Sequence, residues 1–108
     1  MASSAQSSKT QRKEDASCAT YLKALGDSHR LQIMRALRTS PFTVTDLALI
    51  LGLEVANVSH HLRVLFHAGL VTTEREGKYI YYEINREVLR SRPLAKTFDF
   101  GCCRLEMR

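Results

Sequence analysis

Apolar residues along this chain recur at two periods, and the change from one to the other marks how it is organised. Over Leu53 to Leu70, the residues Val55, Val58, Leu62, Leu65 and Phe66 fall three and four positions apart, which places them on one face of an α-helix. The opposite face carries Asn57, Ser59, His60, Arg63 and His67, groups that hydrogen-bond or carry positive charge, with no carboxylate among them. Gly69 follows as the stop, because glycine enters the left-handed conformation without steric cost. Upstream, Thr43 to Leu51 shows the same spacing with Val44, Leu47, Ala48 and Leu51 inward, Thr43 as N-cap and Gly52 at the corner. Two helices joined by a short glycine-containing turn, the second with a polar outer face, make a helix-turn-helix candidate.

After Gly69 the pattern shifts to residues that suit a pleated, half-buried surface. Val71, Thr72 and Thr73 precede a tight turn at Gly77-Lys78, and Tyr79, Ile80, Tyr81, Tyr82 and Ile84 follow it. A hairpin with Arg75, Glu76 and Lys78 at its tip, directly after a reading helix, is a wing able to reach phosphates or the minor groove. Toward the N-terminus, Cys18, Tyr21, Leu22 and Leu25 form one apolar stripe of a short helix over Asp15 to Leu25. Gly26 ends it, and Asp27 or Ser28 caps a second helix that runs to about Arg38 with Leu31, Met34 and Leu37 inward, before Ser40-Pro41 breaks it. After the wing, Asn85 caps a last helix through Val88 and Leu89 that Pro93 kinks or restarts, while Leu94, Phe98 and Phe100 are apolar enough to pack on the first helix or across a dimer. Residues 1–14 lack apolar periodicity and read as a disordered tail, in which Lys9, Arg12 and Lys13 are either solvated or a phosphate-seeking arm. The expected organisation is that tail, a winged-helix DNA-binding and dimerisation domain over residues 15–100, and a cysteine-containing tail over 101–108. The fold class is mainly α with a small β-hairpin (α+β): a winged helix-turn-helix in the order α-α-α-α-β-β-α.

Four blocks carry a resemblance: LKALGDSHRLQIMRAL from Leu22 to Leu37, then DLALILGL, VSHHLRVLFHAGLV and REGKYIYYEI. In order and content they resemble the ArsR/SmtB family of winged-helix repressors, from about Leu22 to Ile84. The resemblance implies a homodimeric transcriptional repressor that holds operator DNA, an imperfect inverted repeat, until an inducer loosens its grip; the inducer is usually a metal or metalloid ion. It also exposes departures. Where relatives carry Cys-Val-Cys this chain has Thr43-Val44-Thr45, hard and weak donors for thiophilic ions, and Asn85 to Phe100 has no His for the family's other usual site. Glu54 stands where relatives have Ser or Thr, and Pro93 interrupts the helix that usually pairs across the dimer.

Composition adjusts this picture only slightly. The 108 residues suit one small domain, and a net charge of +5 fits a polyanionic partner as well as many ordinary soluble proteins. No apolar run approaches a membrane span and no signal-peptide core opens the chain, so a cytoplasmic location is expected. Three cysteines in a reducing compartment argue against a disulfide framework and leave the thiols free for chemistry. With no Gly-rich phosphate loop, no usefully spaced carboxylate pair and no metal-binding His motif, the chain is not expected to be an enzyme, and no cofactor is required for folding.

The candidate DNA contacts are Asn57, Ser59, His60 and Arg63 on the reading helix and Arg75 and Lys78 on the wing, with Arg35 and Arg38 as secondary phosphate contacts. His61 borders both faces and is either a contact or a packing residue. The candidate metal ligands are Cys18, Cys102 and Cys103, which suit a trigonal thiophilic ion, As(III) or Sb(III), as inducer. Persulfide or oxidant sensing, no ligand at all, and inert core cysteines are the competing readings of the thiols. A winged helix serving as a protein-interaction module is the competing reading of the fold.

Overall fold

The computed structural model describes residues 4–89 and 97–106. Four helices come first: α1 (Ser4–Leu25), α2 (Ser28–Leu37), α3 (Val44–Leu51) and α4 (Val55–His67). An antiparallel hairpin of β1 (Val71–Glu76) and β2 (Tyr79–Ile84) follows, and a second hairpin of β3 (Thr97–Asp99) and β4 (Arg104–Glu106) closes the described chain. Each helix boundary has a local cause. Asp27 caps α2 by accepting from the amides of His29 and Arg30, and Thr43 caps α3 in a reciprocal box with Asp46. At the end of α4 the amide of Leu70 donates to Leu65 O and that of Gly69 to Phe66 O, a Schellman ending that Gly69 permits with φ 84°.

The core lies where α2, α3 and α4 meet. Ile33, Met34 and Leu37 of α2, Leu47 and Ala48 of α3, and Val58, Leu62 and Leu65 of α4 are buried together. The wing is fixed to this core at its base: Val71 pairs with Ile84 and both are buried, Asn85 N donates to Leu70 O, and Asn85 Nδ2 donates to Gly69 O at 2.8 Å. The expected tight turn, Gly77-Lys78, joins Glu76 to Tyr79, which pair directly. Phe42, between α2 and α3, pairs with Tyr82 through both backbone bonds and adds a third short edge to the sheet.

Three expectations need correction. The helix α1 reaches back to Ser4, through most of the stretch read as an unstructured tail. No Gly or Pro interrupts that segment, and its Ser, Gln, Lys, Arg and Glu residues are all compatible with a helix once a stable turn further along has nucleated it. Instead of a last helix, Asn85 caps a single turn, with Leu89 N donating to Asn85 O and Glu87 N to Asn85 Oδ1. The segment read as a C-terminal tail forms β4 and the corner before it, so the described chain ends in a hairpin rather than a helix. Pro93 and Leu94 lie outside the described residues, as do the side chains of Lys9, Arg12 and Lys13. Phe98 and Phe100 do pack: Phe98 is buried, and the Phe100 ring stacks on Tyr21 of α1 at 5.5 Å.

The inward stripe of α4 is also narrower than its sequence suggests. Val58, Leu62 and Leu65 are 0 % exposed, whereas Val55 is 49 % and Phe66 47 % exposed. At about 100° per residue those two fall on the flank of the stripe, beyond the reach of α2 and α3. Replacing Leu62 by Ala is therefore expected to cost about 2–5 kcal/mol in urea unfolding. Val55→Ala should stay within about 0.5 kcal/mol of the parent, and equal losses at the two positions would show that this burial pattern is wrong.

Candidate nucleic-acid interface and thiol cluster

The burial of Val58, Leu62 and Leu65 fixes the rotation of α4, and the rotation decides what it presents. Asn57, His60 and Arg63 are exposed and Ser59 is half-buried on the same helix. No Asp or Glu lies within α4; Glu54, immediately before it, is exposed and makes no side-chain capping bond, so its carboxylate stands free at the entrance to the helix. A cleft of about 470 Å³ between α1 and α4 brings Lys23 and Arg30 beside His60, Arg63 and His67, with no carboxylate in its lining. The positive face thus extends beyond the reading helix onto α1. At the wing tip Arg75 and Lys78 are exposed; Arg75 Nε donates to Gly77 O at 3.3 Å and Lys78 Nζ lies 5.4 Å from the Tyr79 ring centroid. Glu74 and Glu76 flank Arg75 along β1, which makes the tip mixed in charge.

Two basic candidates turn inward. His61 has a 13 % exposed side chain and accepts from the Arg30 guanidinium at Nδ1, 3.2 Å away, with Asp27 Oδ1 at 3.9 Å. It joins the reading helix to the start of α2 and is a packing residue rather than part of the outer face. Burial pushes its pKa down; Asp27 opposes this, while Arg30, His29 and His60 reinforce it. For Asp27 itself burial is the largest influence and raises the pKa, yet the amides of Arg30 and His29 together with the charges of His61 and Arg30 leave it below the usual carboxylate value. Arg38, offered above as a phosphate contact, is half-buried, with its guanidinium 4.8 Å from the centroid of Phe98. Burial and then Arg35 lower its pKa, and it serves to seat the second hairpin. Arg35 remains exposed.

The three cysteines converge. Cys18, on the buried side of α1, is joined by a disulfide to Cys102, with a Cα–Cα distance of 6.4 Å. The Sγ of Cys103 lies 3.3 Å from that of Cys18, and all three sulfurs fall within 4.8 Å of one another. The β3–β4 hairpin makes this possible: its corner at Gly101 carries Cys102 and Cys103, Gly101 N donates to Asp99 Oδ1, and Phe100 N donates to Cys103 O. Cys102 is exposed, Cys103 half-buried and Cys18 buried, so the cluster opens to solvent on the hairpin side. The expectation of three free thiols is corrected here to one, Cys103. Counting cysteines carries no information on which ones meet; the hairpin folding back over 84 residues of chain does. Thr43, where the resemblance implies a cysteine in relatives, spends its hydroxyl on the cap of α3.

One cluster was missed from the sequence. Ligating atoms of Asp27, His29 and His61 lie within 4.8 Å of one another, although His61 is more than thirty positions from the other two in sequence. Only the helix packing reveals it. No single helix among the described residues is long and apolar enough to cross a membrane.

Comparison with known proteins agrees with this geometry. A family model described as bacterial regulatory protein, arsR family, matches residues 27–73, the span from the α2 cap into the wing. The transcriptional regulator NmtR of Mycobacterium tuberculosis is 46 % identical over 69 residues, covering 64 % of this chain, which spans 58 % of that protein's length. An arsenical resistance operon repressor of Staphylococcus xylosus is 31 % identical over 93 residues, covering 82 % of this chain and 89 % of its own. In solution the homodimeric winged helix-turn-helix DNA-binding domain of a possible ArsR-family regulator from Mycobacterium bovis has the same fold, with a TM-score of 0.66 at 32 % identity over 71 % of each chain. Shared sequence over most of the Staphylococcus xylosus repressor and a shared winged fold lead to one placement: the chain belongs to the ArsR family, whose members are DNA-binding transcriptional regulators and not enzymes.

Proposed function

We propose that the protein is a cytoplasmic homodimeric repressor that reads an imperfect inverted repeat in operator DNA and lets go when a thiophilic metalloid ion, As(III) or Sb(III), binds Cys18, Cys102 and Cys103. Two-fold symmetry would present two copies of α4 to successive major grooves. Asn57 and Arg63 read base edges by bidentate hydrogen bonds, Ser59 and His60 bind base edges or phosphate, and Arg75 and Lys78 hold the backbone from the wing. The observation that carries the inducer is the meeting of three sulfurs within 4.8 Å. In the reduced form they offer three soft thiolates, a donor set suited to a trigonal thiophilic ion. The hairpin that bears two of them also touches α1 through Tyr21 and the end of α2 through Arg38. A bound ion therefore bears on the helices that hold α4, and it releases DNA by binding more tightly to the conformation that does not fit the operator.

The Cys18–Cys102 disulfide favours a second reading, oxidant sensing. Two thiols plus a hydroperoxide give one disulfide, with the peroxide oxygens leaving as water and alcohol, and Cys103 remains a thiol. The oxidised form has a single thiol and cannot hold a trigonal ion, so the two readings separate cleanly.

Operator affinity is expected to fall ~10³-fold or more between 50 and 200 mM salt if the dimer neutralises about six phosphates or more. Asn57→Ala and Arg63→Ala should each cost about 1–3 kcal/mol and relax base preference at one position per half-site. A gel shift on the protein's own promoter checks both, and a complex indifferent to salt contradicts the DNA-reading role.

With the reduced protein on DNA, arsenite should release the parent and leave the Cys102→Ser/Cys103→Ser variant bound. Release of that variant places the inducer site elsewhere. Peroxide treatment should leave one alkylatable thiol, at Cys103, and equal operator affinity of the oxidised and reduced forms removes the second reading.

A further inference from the structure

Among the described residues, one further group of ligating side chains converges outside the reading face and the thiols. We infer that Asp27, His29 and His61 form a second cation site, for a borderline divalent ion such as Zn²⁺ or Co²⁺, that ties the start of α2 to the middle of α4. Their ligating atoms lie within 4.8 Å of one another. Two imidazoles and one carboxylate are a donor set for borderline metals, and ligands about 2.0–2.2 Å from a tetrahedral ion stand roughly 3.3–3.5 Å apart. Side-chain movement of about 1 Å closes that difference. All three residues are half-buried, which holds them in place while leaving a fourth coordination position open to water.

The placement of each donor is independent of the ion. Asp27 Oδ1 takes the amides of His29 and Arg30 as the α2 cap and is also the oxygen 3.9 Å from His61 Nδ1, so the carboxylate holds the cap and faces the imidazole at once. His29, the second residue of α2, has its ring edge-on to His61 with centroids 5.5 Å apart. His61 offers Nδ1, since that nitrogen is the one 3.9 Å from Asp27 and the one that accepts from Arg30. Two features oppose a positive ion: the positive end of α2 and the Arg30 guanidinium itself. Arg30 is also held by the Ala24 carbonyl through Nε, and because the guanidinium is a rigid plane, an ion at Nδ1 displaces the whole group and costs both contacts. The ion replaces a cationic contact instead of entering a neutral pocket, and the arginine sets the affinity of the site.

The consequence is a clamp between the capped end of α2 and the helix that carries Asn57, His60 and Arg63. It shares no ligand with the thiol cluster, so its failure would leave the proposed inducer site untouched.

Co²⁺ titration of the full chain carrying Cys102→Ser and Cys103→Ser tests it, because loss of the thiol pair removes the competing soft site. One Co²⁺ per chain is expected, with visible d–d absorption, no sulfur-to-cobalt charge-transfer band, and a thermal unfolding midpoint raised by the bound ion. Asp27→Asn keeps a good N-cap while supplying a much weaker ligand, and His29→Gln and His61→Gln remove one imidazole each. Removing a direct ligand should weaken binding by at least about tenfold, the lower end of what the loss of a ligand's supporting partner costs. His67→Gln, six residues along the same helix, should bind as the parent does, and circular dichroism confirms that each variant is folded. Absence of stoichiometric binding, or affinity unchanged in Asp27→Asn, His29→Gln and His61→Gln, overturns the site.

Discussion

The rest of this structure depends on three side chains of α4. Val58, Leu62 and Leu65, each 0 % exposed, fix the rotation of the helix about its own axis. A register error of one residue would turn the helix by about 100° and bury the polar face. Burial of side chains of this size is worth about 1.5–3 kcal/mol each, enough to hold the rotation against any single polar contact. The outer face of α4 is therefore a product of the core. So is the wing, whose base residues Val71 and Ile84 enter the same core.

A second constraint ties the two ends of the described chain. Cys18 on α1 and Cys102 at the corner of the β3–β4 hairpin are bonded, and around that bond Tyr21 stacks on Phe100 while Arg38 covers Phe98. Small domains have modest cores, and a link that closes a long stretch of chain restricts the unfolded state most. The same cysteines that hold the hairpin are the ones available for chemistry. A change at their sulfurs is consequently also a change in how firmly the hairpin sits on α1 and α2.

What sequence made legible was local. Helical spacing, the Thr43 cap, the corner at Gly52, the stop at Gly69 and the two-residue turn at Gly77-Lys78 each act within a few residues, and each stands where its chemistry placed it. What sequence hid depends on residues far apart. Val55 and Phe66 fit the apolar period of α4, but whether a neighbour covers them is a matter of how α2 and α3 cross it. Arg38 carries the charge of a phosphate contact and is claimed by a ring sixty positions away. His61 pairs with Asp27 and Arg30 across helices, and Cys18 with Cys102 across nearly the whole chain, contacts for which no spacing rule exists. The hairpin that ends the described chain belongs to the same class, since a strand of three residues leaves little periodicity to find.

Charge then decides the use of the surface that packing created. Asn57, His60 and Arg63 point outward from a helix without carboxylates, and the adjoining cleft adds Lys23 and Arg30. The most direct measurement is hydroxyl-radical footprinting of the protein on its own promoter DNA. The account predicts two protected patches on one face of the duplex, centred about 10–10.5 base pairs or a multiple of that apart, where two reading helices enter successive major grooves. Protection with no preferred position, or none at 50 mM salt, would contradict it.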